Sequence, residues 1–128
     1  MANPVVHIEH ISSNLEQGLQ FYTKLFDWKV EDMPVSDSEA YKVIKANEGA
    51  NVGFIGVPDT NRPTWLTYIR VDDIRASAAK AVEMGATIVE EIAEFGEYGW
   101  SSVISDPTGA VFAIWQHRAT PVDRQPTP

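Results

Sequence analysis

Apolar and polar residues alternate with a period of two across residues 5–11, then switch to a period near 3.6, so the chain opens with a strand that feeds a helix. Asn14 is a helix N-cap, and Gln17 three residues later completes a capping-box pattern. Leu15, Leu19, Tyr22 and Phe26 fall on one face at helical spacing, with Leu25 beside them, which predicts an amphipathic helix ending near Asp27. Residues 28–30 resume an extended pattern, and residues 34–38 carry turn formers. Residues 41–45 and 52–57 read as two further strands around a turn at Asn47-Glu48-Gly49. The proline-bounded polar stretch 58–63 is the one plausible internal boundary.

The same plan then returns. Residues 65–71 predict a strand, and Asp72 or Asp73 caps a helix whose apolar stripe is Ile74, Ala78, Ala81 and Val82. Gly85 stops that helix. Residues 87–92 and 100–105 are β-rich, Asp106-Pro107-Thr108-Gly109 suits a type I turn, and residues 111–115 form the last strand. Sliding the chain over itself by 59 residues sets Asn14-Leu15 on Asp73-Ile74 and the first strand on residues 66–71. Each half is then strand, helix, three strands: an α+β fold of two tandem βαβββ modules. Neither half can bury both faces of its sheet alone, so the halves are expected to pair as curved sheets around a cleft. The expected domain is residues 1–117, with module one at about 4–58 and module two at about 64–117. Residues 118–128, rich in proline and without apolar periodicity, predict a loose tail.

Charge and composition narrow the partners. The formal net charge of −8 and the lack of any basic run argue against nucleic acid. No apolar run approaches the roughly 18 residues of a membrane helix, and the start of the chain lacks the pattern of a signal peptide. There is no cysteine, so disulfides and thiolate metal sites are excluded, which fits a cytoplasmic protein.

Strand alternation groups the side chains that could carry chemistry. His7 and Glu9 share one face of the first strand, with Ile8 and His10 on the other. Such a pair is either a general base couple or a hydrogen-bonded polar pair lining a pocket or a subunit contact. Leu66, Tyr68 and Arg70 share a face, as do Ala113, Trp115 and His117. Arg70 either clamps an anionic ligand or pairs with Glu9 or a neighbouring acid. Trp65, Trp100 and Trp115, with Phe54 and Tyr41, offer aromatic surface for a core, a dimer contact or a planar ligand. Glu90, Glu91, Glu94 and Glu97 read as a solvated edge, and Phe95-Gly96-Glu97-Tyr98-Gly99 as a lip beside the cleft.

Three ordered motifs resemble those of the vicinal oxygen chelate superfamily, which includes glyoxalase I, extradiol dioxygenases and bleomycin-resistance proteins. The first is His7, Asn14-Leu15, Phe21-Tyr22 and Leu25-Phe26-Asp27-Trp28. The second is Tyr68-Ile69-Arg70-Val71-Asp72-Asp73 with Met84-Gly85-Ala86, and the third is the run from Asp106-Pro107-Thr108-Gly109 to Trp115. The resemblance spans residues 5–117. It implies a fold in which metal-dependent relatives hold a divalent ion with four side chains, one from the first and last strand of each module. Carried onto this chain, those positions are His7, Gly53 or Phe54, Leu66 and Ala113. One ligand in four cannot hold Zn, Fe or Ni in that geometry.

The expectation is therefore a protein that binds a small organic molecule without metal or other cofactor. Its ligand site is expected at Phe54, Leu66, Tyr68, Arg70, Ala113 and Trp115, with His7 and Glu9 as the candidate catalytic pair. The alternative is a lyase or isomerase that uses His7 and Glu9 for proton transfer, or a divalent metal held by a non-standard set. A subunit acting mainly through protein contacts is a third class. A homodimer is expected, because open sheet edges need cover.

Overall fold

A computed structural model of the chain describes residues 3–36, 39–45, 49–60 and 62–118. Its elements run β1 (Val5–Ser12), α1 (Leu15–Leu25), β2 (Glu31–Ser36), β3 (Glu39–Ile44), β4 (Asn51–Gly56), β5 (Thr64–Arg70), α2 (Ile74–Glu83), β6 (Thr87–Phe95), β7 (Gly99–Ser105) and β8 (Val111–His117). That is βαβββ twice over. No helix among the described residues is long and apolar enough to cross a membrane.

The helix ends obey local chemistry. Asn14 Oδ1 accepts from the Gln17 amide at 3.0 Å, and Asp73 Oδ1 accepts from the Ala76 amide at 3.1 Å, so each helix begins on a capped amide. Gly85 adopts φ +101, and the Gly85 and Ala86 amides donate to the Val82 and Ala81 carbonyls at 3.0 Å each. This double closure needs a left-handed residue at its centre, which glycine supplies without strain. Two local expectations shift. Residues 28–30 are not a strand, and β2 runs on through Pro34 where a turn was expected. Pro34 is tolerated because β2 is a terminal strand, where a missing ladder N–H costs least. The turn expected at residues 47–49 lies outside the described residues except for Gly49, and so does the expected tail beyond Arg118.

The two halves join as one eight-stranded sheet, in the order β2-β3-β4-β1-β5-β8-β7-β6, rather than as two separate ones. β1 and β5 pair antiparallel at its centre, while β1–β4 and β5–β8 are parallel. The sheet must curl. β3 and β6 stand six strand steps apart, roughly 29 Å on a flat sheet at about 4.8 Å per strand, yet the rings of Tyr41 and Phe95 meet at 5.3 Å between centroids.

The outer face carries the helices, and the modules pack there unequally. Under α2 lies a closed cluster of Val71, Ile74, Ile104 and Ile114. Helix α1 buries no residue fully; its Phe21 and Leu25 are exposed, and so is Phe26 at its C-cap. Beneath it, Phe54 is only 1% exposed and packs with His10, Tyr22 and Trp65. On the inner face, Leu66, Val103 and Ala113 form a smaller cluster beside Ile11 and Tyr68.

Candidate functional site

The central position of β1 decides what its side chains meet. His7 and Glu9 point to the concave face, where strands from both modules converge, and Ile8 and His10 point away from it. Glu9 sits opposite Gly53 on β4 and Leu66 on β5, and His7 sits opposite Tyr68. A cavity of about 250 Å³ opens over this centre. His7, Glu9, Tyr41 and Tyr68 lie on its polar side, Phe95 and Trp115 give it aromatic walls, and Arg70 and His117 stand exposed at its margin.

The polar side is one connected network. Tyr41 Oη donates to Glu9 Oε1 at 2.5 Å and lies 2.8 Å from His7 Nε2. Tyr68 Oη donates to Glu9 Oε2 at 3.2 Å. Each carboxylate oxygen thus receives one phenol, and Tyr41 bridges acid and imidazole. The glycine at position 53 makes the bridge possible: a Cβ there would stand 1.8 Å from Tyr41 Oη and 2.6 Å from His7 Nε2.

Burial sets the electrostatics. Glu9 is 8% exposed, and loss of solvent raises its pKa, opposed by the hydrogen bonds from Tyr41 and Tyr68 and assisted by the negative field of Glu90. Burial also pushes the His7 imidazole down from its usual 6.5 to about 4. Both tyrosines are raised, first by desolvation and then by the adjacent Glu9 charge. At neutral pH the imidazole is therefore uncharged.

Not every expected site residue lies at this cavity. His7, Glu9, Tyr68, Arg70 and Trp115 line it. Phe54 does not. It pairs with His10 across β1 and β4, and the strict alternation of a strand turns it to the helix side. Leu66 and Ala113 are on the concave face but are 6% and 0% exposed, closed into the cluster with Val103 beneath the cavity. Arg70 does not hold Glu9, whose two oxygens are taken by phenols. The acidic residues Glu90, Glu91, Glu94 and Glu97 are exposed, while Phe95 and Tyr98 from the expected lip line the cavity.

Sequence reasoning missed Tyr41 as a polar partner and counted it only as aromatic surface. Half of the signal was present. The 59-residue slip lays Tyr68 over Glu9, so these two central positions are internal equivalents and meet across the pseudo-symmetry axis. Nothing in the residue pattern pairs β3 with that axis.

The divalent ion implied by the superfamily resemblance does not fit these residues. The four positions are His7, Gly53 or Phe54, Leu66 and Ala113, and the one imidazole among them has its Nε2 engaged by Tyr41. Among the described residues no group of three or more His, Cys, Asp or Glu side chains is placed to hold a metal.

Residues 7–115 match the family described as Glyoxalase-like domain. A mycobacterial protein, CFP32, whose name assigns it provisionally to the glyoxylases, is 36% identical over 102 residues in Mycobacterium tuberculosis. That match covers 76% of this chain and 39% of the relative, so the chain spans well under half the length of the curated relatives it matches. Among solved structures, the hypothetical protein BH1468 of Bacillus halodurans superposes with a TM-score of 0.72 at 12% identity, covering 94% of this chain and 98% of the other. A variant of the methylmalonyl-CoA epimerase of Streptomyces coelicolor, solved with 2-nitronate-propionyl-CoA, superposes with a TM-score of 0.69 at 13% identity, covering 93% and 100%. At such identities the likeness is one of fold.

Proposed function

Because the chain belongs to the Glyoxalase-like domain family, we propose that it binds a small organic molecule in the concave cavity and needs no resident metal to do so. The observation that carries this reading is the Glu9–Tyr41–His7 network, set in the cavity where the superfamily resemblance puts a metal. About 250 Å³ is below the usual range for drug-sized ligands, which suits one ring with a short side chain. The aromatic walls favour a flat molecule, and Arg70 at the margin favours an anionic or carbonyl group on it. Metal independence is supported by the donor set at His7, Gly53 or Phe54, Leu66 and Ala113, in which only His7 is a metal-ligand type. We further propose a homodimer in the cytoplasm. The lack of cysteine agrees with that compartment, and the outer edges of β2 and β6 end the sheet and are open to cover by a second copy.

The test is calorimetric titration of the metal-free protein with phenylpyruvate and with its uncharged analogue phenylacetone. Phenylpyruvate is expected to bind, and Arg70→Ala to weaken it by about 1–2 kcal/mol, low in the range for a charged hydrogen bond because Arg70 is exposed. Phenylacetone is expected to change little. Equal losses for both would make Arg70 structural, and no binding of either would remove the cavity reading. Native mass spectrometry showing one tightly held divalent ion per chain would end the metal-free proposal.

A second reading has its own observation. Glyoxalase-type isomerases and the epimerase with a similar fold are enzymes, and a buried carboxylate joined to an imidazole can transfer a proton. On this reading His7 and Glu9 do chemistry on the bound molecule as a lyase or isomerase.

A further inference from the structure

We propose that His7, Tyr41 and Glu9 form a directed proton relay, in which His7 Nδ1 takes a proton from a bound carbonyl compound and Glu9 stores the charge change. The proposal rests on the cavity reading above and assigns roles within it.

Direction follows from counting hydrogens. A phenol has one proton, and that of Tyr41 is spent on Glu9 Oε1 at 2.5 Å. Its oxygen can then only accept from His7 Nε2, 2.8 Å away, so Nε2 carries the hydrogen of the neutral imidazole and Nδ1 keeps the lone pair. Tyr68 donates to the other carboxylate oxygen, so both oxygens of Glu9 serve as acceptors, and the relay takes Glu9 as its ionised end.

One shift along this chain is balanced. A C–H bond beside a carbonyl breaks and its proton goes to Nδ1, while the electron pair passes into the carbonyl as an enolate. The Nε2 proton moves to Tyr41 Oη, and the Tyr41 proton moves to Glu9 Oε1. The end state has a neutral imidazole with its hydrogen on Nδ1, an intact phenol and a neutral Glu9. No oxidant, reductant or metal enters.

The relay answers an energetic problem. His7 alone is a poor base here, since desolvation opposes a buried imidazolium. Passing the proton on means no imidazolium has to persist, and the charge that disappears is the one whose burial is also unfavourable, on Glu9. The charged and titratable groups around the centre are Glu90 from β6, Lys45 beyond β3, Arg70 on β5 and His117 on β8, with the phenols of Tyr68 and Tyr98. Tyr41 is the group that donates to Glu9 and also lies within hydrogen-bond distance of His7.

The experiment reads the tautomer directly. Long-range proton–nitrogen correlation on the ¹⁵N-histidine-labelled protein at pH 7, with His7 assigned by its loss in His7→Gln, is expected to show the Nε2–H form. Tyr41→Phe is expected to lower the Nε2–H to Nδ1–H ratio by about fivefold, the equivalent of one hydrogen bond. Glu9→Gln, which removes the ionised acceptor but keeps the shape, should also lower it and serves if Tyr41→Phe fails to fold. An Nδ1–H form in the parent, or a ratio unmoved by both variants, would overturn the relay. In a second arm, deuterium uptake at the benzylic carbon of phenylpyruvate in heavy water is expected to exceed the buffer rate with the parent. Measured at saturating phenylpyruvate, so that any change in affinity does not enter, it should fall at least about tenfold in Tyr41→Phe, because the proton path is cut. Binding without any accelerated uptake would refute the relay while sparing the cavity reading. A failure of phenylpyruvate to bind would reject the cavity reading, and the tautomer would still decide the relay.

Discussion

His7 and His10 stand three residues apart on β1, and burial lowers the pKa of both, yet they occupy opposite worlds. His7 faces the concave side and shares Tyr41 with Glu9. His10 faces α1 and is ringed by Tyr22, Phe54 and Trp65 at 5.4, 5.1 and 5.0 Å between ring centroids. Its Nδ1 is buried without a hydrogen-bond partner among the described residues. The odd spacing explains the divergence, because successive strand residues alternate faces. One face collects phenols and an acid around its imidazole, and the other treats the imidazole as one more flat ring. Residue type alone does not set the surroundings of a histidine; the partners reached across neighbouring strands do.

The sharpest way to break the comparison is on the packing side. Phe54 is 1% exposed in the ring around His10, and Phe54→Ala is expected to cost about 3–5 kcal/mol in urea unfolding, by loss of buried ring contacts and the cavity left behind. A loss below about 1 kcal/mol would show that the helix side collapses freely, and the contrast between a packed and a wired face would lapse.

Next in size is the pH dependence of the wired side. The folded pKa of His7, about 4, lies below the unfolded 6.5, so above pH 6.5 neither state is protonated and the contribution is complete. As pH falls from 6.5 towards 4 the unfolded chain gains a proton that the folded chain declines, and about 3 kcal/mol of stability is lost. Glu9 opposes this, because its raised pKa makes protonation favour the folded state as pH falls. Comparing parent with His7→Phe across this window cancels the Glu9 effect. The parent should lose stability with acid more steeply than the variant, as read by unfolding at each pH, and parallel curves would mean His7 is not held neutral by the fold.

Gly53→Ala probes the bridge itself. The added methyl meets Tyr41 Oη and His7 Nε2, so the phenol must move; a cost of about 1–3 kcal/mol is expected by thermal or urea unfolding. The smallest effect is expected at His10→Leu. Removing a buried unpaired nitrogen gains about 1–3 kcal/mol, and losing the ring contacts gives back about 0.5–1.5 kcal/mol. At the midpoints of these ranges the two partly offset, so a net gain of about 1 kcal/mol is expected. A loss like that of Phe54→Ala would reveal a bonded role for His10.

Much of the fold was legible because its signals are local. Period-two and period-3.6 stretches located β1, α1, β4, β5, α2, β7 and β8 within a few residues, and Gly85 announced its helix stop. β2 escaped because Pro34 reads as a turn former, and only its place at the end of the sheet makes a strand tolerable there. The site was half legible. Alternation put His7 with Glu9 and Tyr68 with Arg70, but carrying the metal positions over by resemblance sent Phe54 to the wrong face and kept Leu66 and Ala113 as lining when they are sealed beneath.

The sequence by itself determined the module plan and which side chains of one strand travel together, because both depend on backbone periods that each residue expresses in place. Tertiary structure alone decided that Tyr41 from β3 reaches between His7 and Glu9, and that Phe95 from β6 closes on Tyr41 from the far end of the sheet. Those contacts depend on sheet curvature, on parallel and antiparallel registers between distant segments, and on a missing Cβ at Gly53. A hydrogen bond is fixed by where atoms meet in space, to within a few tenths of an ångström, and no one-dimensional period carries that information.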